Sequence, residues 1–400
     1  RGLDPTVVTY AAVISACAKG GQWQKALELF DDMQHRGLAP TVIAYSAAIS
    51  ACDRAGQWQK ALELFEDATT RRSLEPDVVL FNATISACGS AGQYLKAREL
   101  FEDMQRHHLE PNVISYNAMI SACEKGGQWK LAAKYFDELA EKKKANGVGD
   151  EGPGLITYNA MISACAKGGQ LQKALAYFDD MPRNGLTHDV ISYSALISAC
   201  AHAQEWEKAL ELFAELQQRG LEPNVITYSA LISACEAARR FDEARDVFAR
   251  SSASFGFPSQ RSVLGKLDVR GLSVPVARTA LRVALDDLRS SRSSLTKDFL
   301  VLTGHGTDDA EAVLRPAILA LLRDEYEPLR CARDPRNSGV LAIDARSLLA
   351  WASSSSSSRS RCCSASSSVP ADDDRSSRPR SSTKNKKKRR RRWAAHAAAK

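Results

Sequence analysis

The sequence predicts a mainly α-helical chain: a right-handed α-α superhelix of repeats, a small α/β unit of βαβαβ order, and a disordered tail. Three observations carry that reading. "VISYNAMISACEKGGQW" (Val113–Trp129) returns as "LITYNAMISACAKGGQL" from Leu155 and as "VISYSALISACAHAQEW" from Val190, and self-similarity at a fixed period marks a stacked array. Apolar residues inside each copy recur at helical spacing. After Ser259 the grammar changes to short apolar runs alternating with amphipathic stretches, and after Trp351 to serine and basic runs. The boundaries that follow are 1–259 for the array, 260–351 for the α/β unit and 352–400 for the tail.

The units begin at Val7, Val42, Val78, Val113, Leu155, Val190 and Val225, in steps of 35, 36, 35, 42, 35 and 35. Within a unit, Tyr116, Ile120 and Cys123 fall at i, i+4 and i+7, one face of a first helix. A polar turn such as "KGGQ" (Lys19–Gln22) follows. Ala26, Phe30 and Met33 then give the same spacing on a second helix, which Gly37 and Pro40 end. One helical hairpin cannot bury two apolar faces, whereas stacked neighbours can, leaving a concave groove. The aromatic after each turn (Trp23, Trp58, Tyr94, Trp129, Trp206, Phe241) reads as inter-repeat packing, because Leu171 fills the slot once and leucine cannot stack on a base. The long step reflects "KKKANGVGDEGPG" (Lys142–Gly154), which reads as a flexible Gly-rich surface loop.

Beyond the array, "KLDVRGLSV" reads as a strand and turn, and "PVARTALRVALDDL" as a helix with Ala277, Leu281, Ala284 and Leu288 on one face. "DFLVLTGHG" reads as a strand ending in a Gly turn, "AVLRPAILALLRD" as a helix, and "GVLAIDARSLLAW" as a strand and closing helix. The sequence opens on "RGLDPT", which matches "RGLAPT" at Arg36–Thr41. It is therefore expected to begin in the tail of an earlier unit, with the true N-terminus and any targeting segment outside it.

Bulk properties set limits. The net charge of +7 misleads, because residues from Ala352 onward carry +11 and leave −4 on the preceding 351. Overall basicity therefore says nothing about nucleic-acid binding by the folded part. No apolar run reaches the roughly eighteen residues of a membrane span, so no membrane partner is expected. Of ten cysteines, Cys17, Cys52, Cys88, Cys123, Cys165, Cys200 and Cys235 share one repeat position. They read as small buried residues in a reducing compartment, and neither a disulfide framework nor a zinc site is indicated.

The pattern V-x-T/S-Y-N/S-A-x-I-S-A-C…A-x-x-x-F…G-L-x-P-N/D over residues 1–259 resembles the pentatricopeptide repeat (PPR) family and lacks the tetratricopeptide W-x2-L-G-x2-Y spacing. The resemblance implies single-stranded RNA as partner, read at one base per unit, with the fifth residue on the base edge and the last residue tuning it. Carried over, Ser46 with Asp77 implies G, and Asn82 with Asn112 implies C over U. Asn117 with Gly154 implies a pyrimidine without its tuning partner. Asn159 with Asp189 implies U, and Ser194 with Asn224 implies A. Ser229 with Ser259 is degenerate, and Ala11 with Thr41 departs from the pattern. Short amides and hydroxyls suit the task because they donate and accept toward a Watson–Crick edge. Read by position alone, Asn or Ser at a helix start is a cap.

Over residues 266–351, "LDVRGLSV", "TGHG" and "VLRPAI" resemble the small MutS-related (Smr) domain, which implies nucleic-acid binding or endonuclease activity. The resemblance also implies organelle RNA processing, in chloroplast or mitochondrion. Arg270 stands where the family's LD-x-H motif has His. Chemically, Asp268 could orient a water, a 2′-hydroxyl or a metal (Mg²⁺ or Mn²⁺ if the unit is a nuclease). Arg270 cannot act as a base, but its fork suits a phosphate. His305 is the unit's one imidazole and its candidate proton carrier. Gly304 and Gly306 would let backbone N–H groups approach a phosphate. Three readings stay open: RNA cleavage, RNA-backbone binding or scaffolding without cleavage, and a structural role. The tail, ending in "RPRSSTKNKKKRRRRW" (Arg378–Trp393), fits phosphate contact, nuclear targeting or gene-model extension equally.

Overall fold

The computed structural model describes residues 5–146, 152–255, 265–290, 297–304, 309–327, 329–334 and 337–353. The tail from residue 354, Ser259, His305 and Gly306 lie outside them.

Seven helical hairpins form the array: α1 (Val7–Lys19) with α2 (Trp23–His35), α3 (Val42–Arg54) with α4 (Trp58–Glu66), and α5 (Val78–Ser90) with α6 (Tyr94–Arg106). They continue as α7 (Val113–Lys125) with α8 (Trp129–Asn146), and α9 (Leu155–Lys167) with α10 (Leu171–Asp180). The last are α11 (Val190–His202) with α12 (Trp206–Gln218), and α13 (Val225–Ala237) with α14 (Phe241–Phe255). Every first helix starts at the first residue of its sequence unit. First helices pack on one another along the array, whereas second helices pack mainly against first helices. The second layer is therefore splayed, and the first lines the concave side. Tyr116, Ile120 and Cys123, and Ala26, Phe30 and Met33, are all buried, so one continuous core runs through the stack.

The turns repeat as closely as the helices. In all seven units the N–H of the residue opening the second helix reaches back to the cysteine carbonyl, from Gln22 on Cys17 to Arg240 on Cys235, at 2.8–2.9 Å. The residue before it is left-handed: Gly21, Gly56, Gly92, Gly127 and Gly169, then Gln204 (φ 60°) and Arg239 (φ 54°). Glycine takes that conformation without strain and the last two residues do not. The aromatic slot is half-buried and reaches the neighbouring unit: Trp129 lies under Lys173 (4.2 Å) and Trp206 under Arg240 (4.4 Å).

The two irregular steps have local causes. The extra residue of the 36-residue unit is absorbed by a π-type turn over Asp67–Arg71, closed by the Arg72 N–H on the Asp67 carbonyl. The long insertion corrects the loop expectation in part, because α8 runs on through Lys142–Asn146. Lysine and alanine favour helix, and cations suit a helix C-terminus. Lys142 also lies 5.4 Å over the Tyr116 ring and donates to the Pro111 carbonyl. Residues 147–151 are outside the described set.

The second unit comprises β1 (Lys266–Asp268), α15 (Val274–Ser290), β2 (Phe299–Leu302), α16 (Asp309–Glu325), β3 (Cys331–Asp334), β4 (Asn337–Ile343) and α17 (Ala345–Ser353). The expected βαβαβ order is corrected by one strand. The sheet order is β1-β2-β4-β3, with β1 and β2 parallel and both other pairings antiparallel. β3 has half-buried ends and an exposed middle, as befits an edge strand, so it shows no alternating pattern to read. Ala277, Leu281 and Ala284 face the sheet core, as the sequence spacing requires. The opposite face of α15, with Val276 and Ala280, joins the core of the array. α15 thus packs on α13 and α14 where a further first helix would stack.

Arg282 on α15 locks this junction. It is 8% exposed, pairs with the buried Glu236 of α13, and forks onto Glu325 at 2.7 and 2.9 Å. Its guanidinium lies 3.9 Å over the Phe241 ring. Thr279 donates to the same Glu236 at 2.7 Å. Glu236 occupies the place where Asp53 and Glu124 receive Ser86 and Ser163 from the next unit.

Candidate RNA-binding surface

The last residue of a unit is the N-cap of the next first helix, and its side chain takes the third helical N–H. Asp77 accepts from Leu80 (2.8 Å), Asn112 from Ser115 (3.1 Å), Asp189 from Ser192 (2.8 Å) and Asn224 from Thr227 (2.9 Å). The fifth residues lie one turn further in. The capping explanation therefore belongs to the last residues, and Asn or Ser at the fifth position caps nothing.

Hydrogen bonds then join fifth to last across about thirty residues of sequence. Asn82 Nδ2 donates to Asn112 Oδ1 at 3.3 Å, and Asn159 Nδ2 donates to Asp189 Oδ1 at 3.2 Å. Ser194 meets Thr227 at 2.6 Å, and Thr227 in turn donates to Asn224 at 2.9 Å, so that pair is joined through an intermediary. Asn117 has Gly154 for its last residue and instead accepts from Thr157 Oγ1 at 2.6 Å. Ser46 is buried and its hydroxyl has no hydrogen-bond partner, Asp77 included. Ser229 is half-buried and its carbonyl accepts from Ser233. Ala11 is buried, and Thr41 starts α3 without a side-chain cap.

Helical spacing alone missed a second feature. Val8, Ile43, Val79, Ile114, Ile156, Ile191 and Ile226, the second residue of each unit, are 59–77% exposed. They form one apolar stripe with a tooth per unit, three residues from each fifth position. The signal was in the sequence: a β-branched residue recurs there seven times although the core-facing spacing excludes it. An exposed apolar stripe on a surface that is otherwise polar marks a contact site.

At the C-terminal unit the parallel pairing sets Asp268 opposite Leu302 and so brings the segments after β1 and β2 to one end of the sheet. There Arg270 clamps Asp268, with Nε to Oδ1 at 2.9 Å, Nη2 to Oδ2 at 2.7 Å, and the Arg270 N–H to Oδ1 at 3.1 Å. Both carboxylate oxygens accept from Arg270, and this ion pair competes with any cation for Asp268. Among the described residues no group of His, Cys, Asp and Glu is placed to hold a metal ion. Gly304 has φ 85°, which only glycine takes without strain, but its N–H donates to the Gly339 carbonyl at 3.1 Å. The expected phosphate contact therefore cannot come from that amide. Arg315 of α16 donates to the Gly304 carbonyl at 2.8 Å and ties the segment to the helix. Among the described residues no helix is long and apolar enough to cross a membrane.

Family profiles match the array in register. The profile described as PPR repeat family matches residues 5–54 and 76–125, and PPR repeat matches 43–71, 114–143, 156–186 and 226–250. Pentatricopeptide repeat domain matches 176–237. Among solved structures, the chain is similar to the pentatricopeptide repeat protein PPR10 from maize at 20% identity and TM-score 0.45, covering 82% of this chain and 45% of that one. PPR10 in complex with an 18-nt psaJ RNA element gives 18%, TM-score 0.34, and coverage of 82% and 55%. The PPR domain of Arabidopsis thaliana protein-only RNase P 1 in complex with tRNA gives 16%, TM-score 0.38, and coverage of 47% and 95%. This chain thus spans about half the length of PPR10. No curated protein sequence matches it. With repeat profiles following one another from residue 5 to residue 250, this chain belongs to the pentatricopeptide repeat family.

Proposed function

We propose that this chain binds single-stranded RNA with base selectivity, at one base per unit, in organelle RNA processing. One arrangement carries the reading. A recessed fifth residue sits beside an exposed Val or Ile at the array's period, and in the third and fifth units it is hydrogen-bonded to the last residue of its own unit. The apolar tooth offers a surface for a base face, and the amide or hydroxyl offers hydrogen bonds to its edge. The PPR10 and protein-only RNase P structures in complex with RNA are consistent with it.

The C-terminal unit, read as Smr-like, contacts the RNA backbone in this account. Of the readings left open, the clamped Asp268 favours the one without cleavage, because both of its oxygens already accept from Arg270. A purified chain that cut a bound RNA with Mg²⁺ or Mn²⁺ present, and lost that activity in Asp268→Ala and His305→Ala, would reverse this.

The preferred RNA is 5′-nGCYUAR-3′, read N- to C-terminus along 5′ to 3′. The double change Asn159→Ser with Asp189→Asn is expected to move the fifth base from U toward A in selection from random pools. A single base-edge contact carries about 1–3 kcal/mol in DNA readout, taken here as a guide. Pools that return no shift at that base would end the base-per-unit reading.

A further inference from the structure

We propose that the third residue of each unit is a specificity-determining position: its hydroxyl fixes which edge the preceding unit's fifth residue presents to a base. The inference rests on the RNA-binding reading above. The third residues are Thr9, Ala44, Leu80, Ser115, Thr157, Ser192 and Thr227, so hydroxyls follow the fifth residues from Asn82 to Ser194.

A hydroxyl has one proton, and where it goes decides the neighbour. Thr157 Oγ1 accepts the Gly154 N–H at 3.1 Å and sends its proton to Asn117 Oδ1 at 2.6 Å. Asn117 is thereby held with its NH₂ turned away from Thr157. In the unit before, Ser115 sends its proton to Asn112 Oδ1 at 3.1 Å, and the same oxygen takes Asn82 Nδ2 at 3.3 Å. Asn82 Oδ1 is left with no partner. Two identical asparagines are therefore held by opposite ends: Asn82 by its Nδ2, with its Oδ1 closed off from solvent, and Asn117 by its Oδ1. At Asn159 both ends are fixed, with Oδ1 on Ser192 (2.6 Å) and Nδ2 on Asp189 (3.2 Å). The exception supports the rule. Leu80 stands third after Ser46, cannot hydrogen-bond, and the Ser46 hydroxyl is orphaned.

With its Oδ1 taken by Thr157, Asn117 keeps its NH₂ for a base, and either pyrimidine offers that donor an acceptor.

The test uses the full chain and fluorescent single-stranded 5′-nGCNUAR-3′ oligomers with each of the four bases at N. The parent is expected to prefer pyrimidines over purines at N by about fivefold, the yield of one neutral hydrogen bond. Thr157→Ser should keep that ratio. Thr157→Val keeps the branched shape and loses the hydroxyl, and should bring the ratio close to one while U selection at the neighbouring Asn159 base is unchanged. Leu80→Thr should raise selectivity at the Ser46 base about threefold. A selective parent whose profile survives Thr157→Val overturns this inference alone, and so does a loss spread evenly over all bases. A parent indifferent to base at every position overturns the RNA reading and this inference with it.

Discussion

Removing the Arg282 side chain is expected to uncouple the C-terminal unit from the array. Arg282 and Glu236 are 8% and 7% exposed, so neither charge has water to fall back on. Breaking one partner of such a pair costs about 3–5 kcal/mol, because the survivor stays buried and uncompensated. Here the survivor is Glu236, left with Thr279 alone among the junction contacts described. The two bonds to Glu325 and the contact over Phe241 are lost as well, although Glu325 is 37% exposed and recovers solvation. Arg282→Ala should therefore lower protection of the α15 amides in native-state hydrogen exchange by several kcal/mol, while α1 to α8 are unaffected. Adding Glu236→Gln removes the orphaned charge and should restore part of the loss. A change under about 1 kcal/mol in α15 protection, or equal loss throughout the array, would refute the account of the junction.

Gln204→Gly should stabilise the sixth unit by roughly 0.5–1 kcal/mol, as the relief of left-handed strain exceeds glycine's added chain entropy, and thermal unfolding would show it. Alkali should weaken the fold. Burial pushes the thiols of Cys52, Cys88, Cys165 and Cys200 up to about 11, and those of Cys123 and Cys235 up to about 12, from the 9.0 of a free thiol. Their contribution is whole below pH 9 and is lost as pH rises from 9 through 11–12, so urea midpoints should hold to pH 8 and fall steeply above 9. Midpoints that stay level to pH 11 would contradict the burial of these thiols. Under the proposed backbone contact, Arg270→Ala should weaken RNA binding regardless of sequence and reduce the slope of log K against log salt by about 0.7.

The array was legible because its determinants are local and repeated. Each first helix begins at the residue that the periodicity named, and Tyr116, Ile120 and Cys123 are buried as their spacing requires. β3 was not legible, since an edge strand with an exposed middle writes no alternation. The helical end of α8 was hidden for another reason: Gly147 and Gly149 gave the whole insertion a loop-like composition, while the lysines before them belonged to the helix. At the candidate site, the residue types of the fifth and last positions could be read, but their partners could not. That Asn82 is held by its Nδ2 and Asn117 by its Oδ1 follows from where the next unit's hydroxyl sends its proton, and no single-unit pattern contains it. Gly304 shows the converse, since glycine predicted an open amide and the sheet had already taken it.

The last residues do two jobs, and this limits how such an array can be recoded. Asp189 caps α11 through the Ser192 N–H and holds Asn159 Nδ2. Any replacement must still accept an amide at an extended N-cap, which restricts the choice to Asn, Asp, Ser and Thr. Units two, three, five and six use Asp77, Asn112, Asp189 and Asn224, all from that set. A change within the set alters the partner of the fifth residue at almost no cost in folding, because Asn and Asp cap about equally well. A change outside it loses both functions together. Asp189→Asn should therefore leave the unfolding midpoint unchanged within error while shifting base preference at the Asn159 position. Asp189→Ala should cost about 1 kcal/mol and also blunt that preference. If Asp189→Ala destabilised the fold yet kept full base selectivity, capping and base selection would be separable, and the shared network would not be what sets the preference.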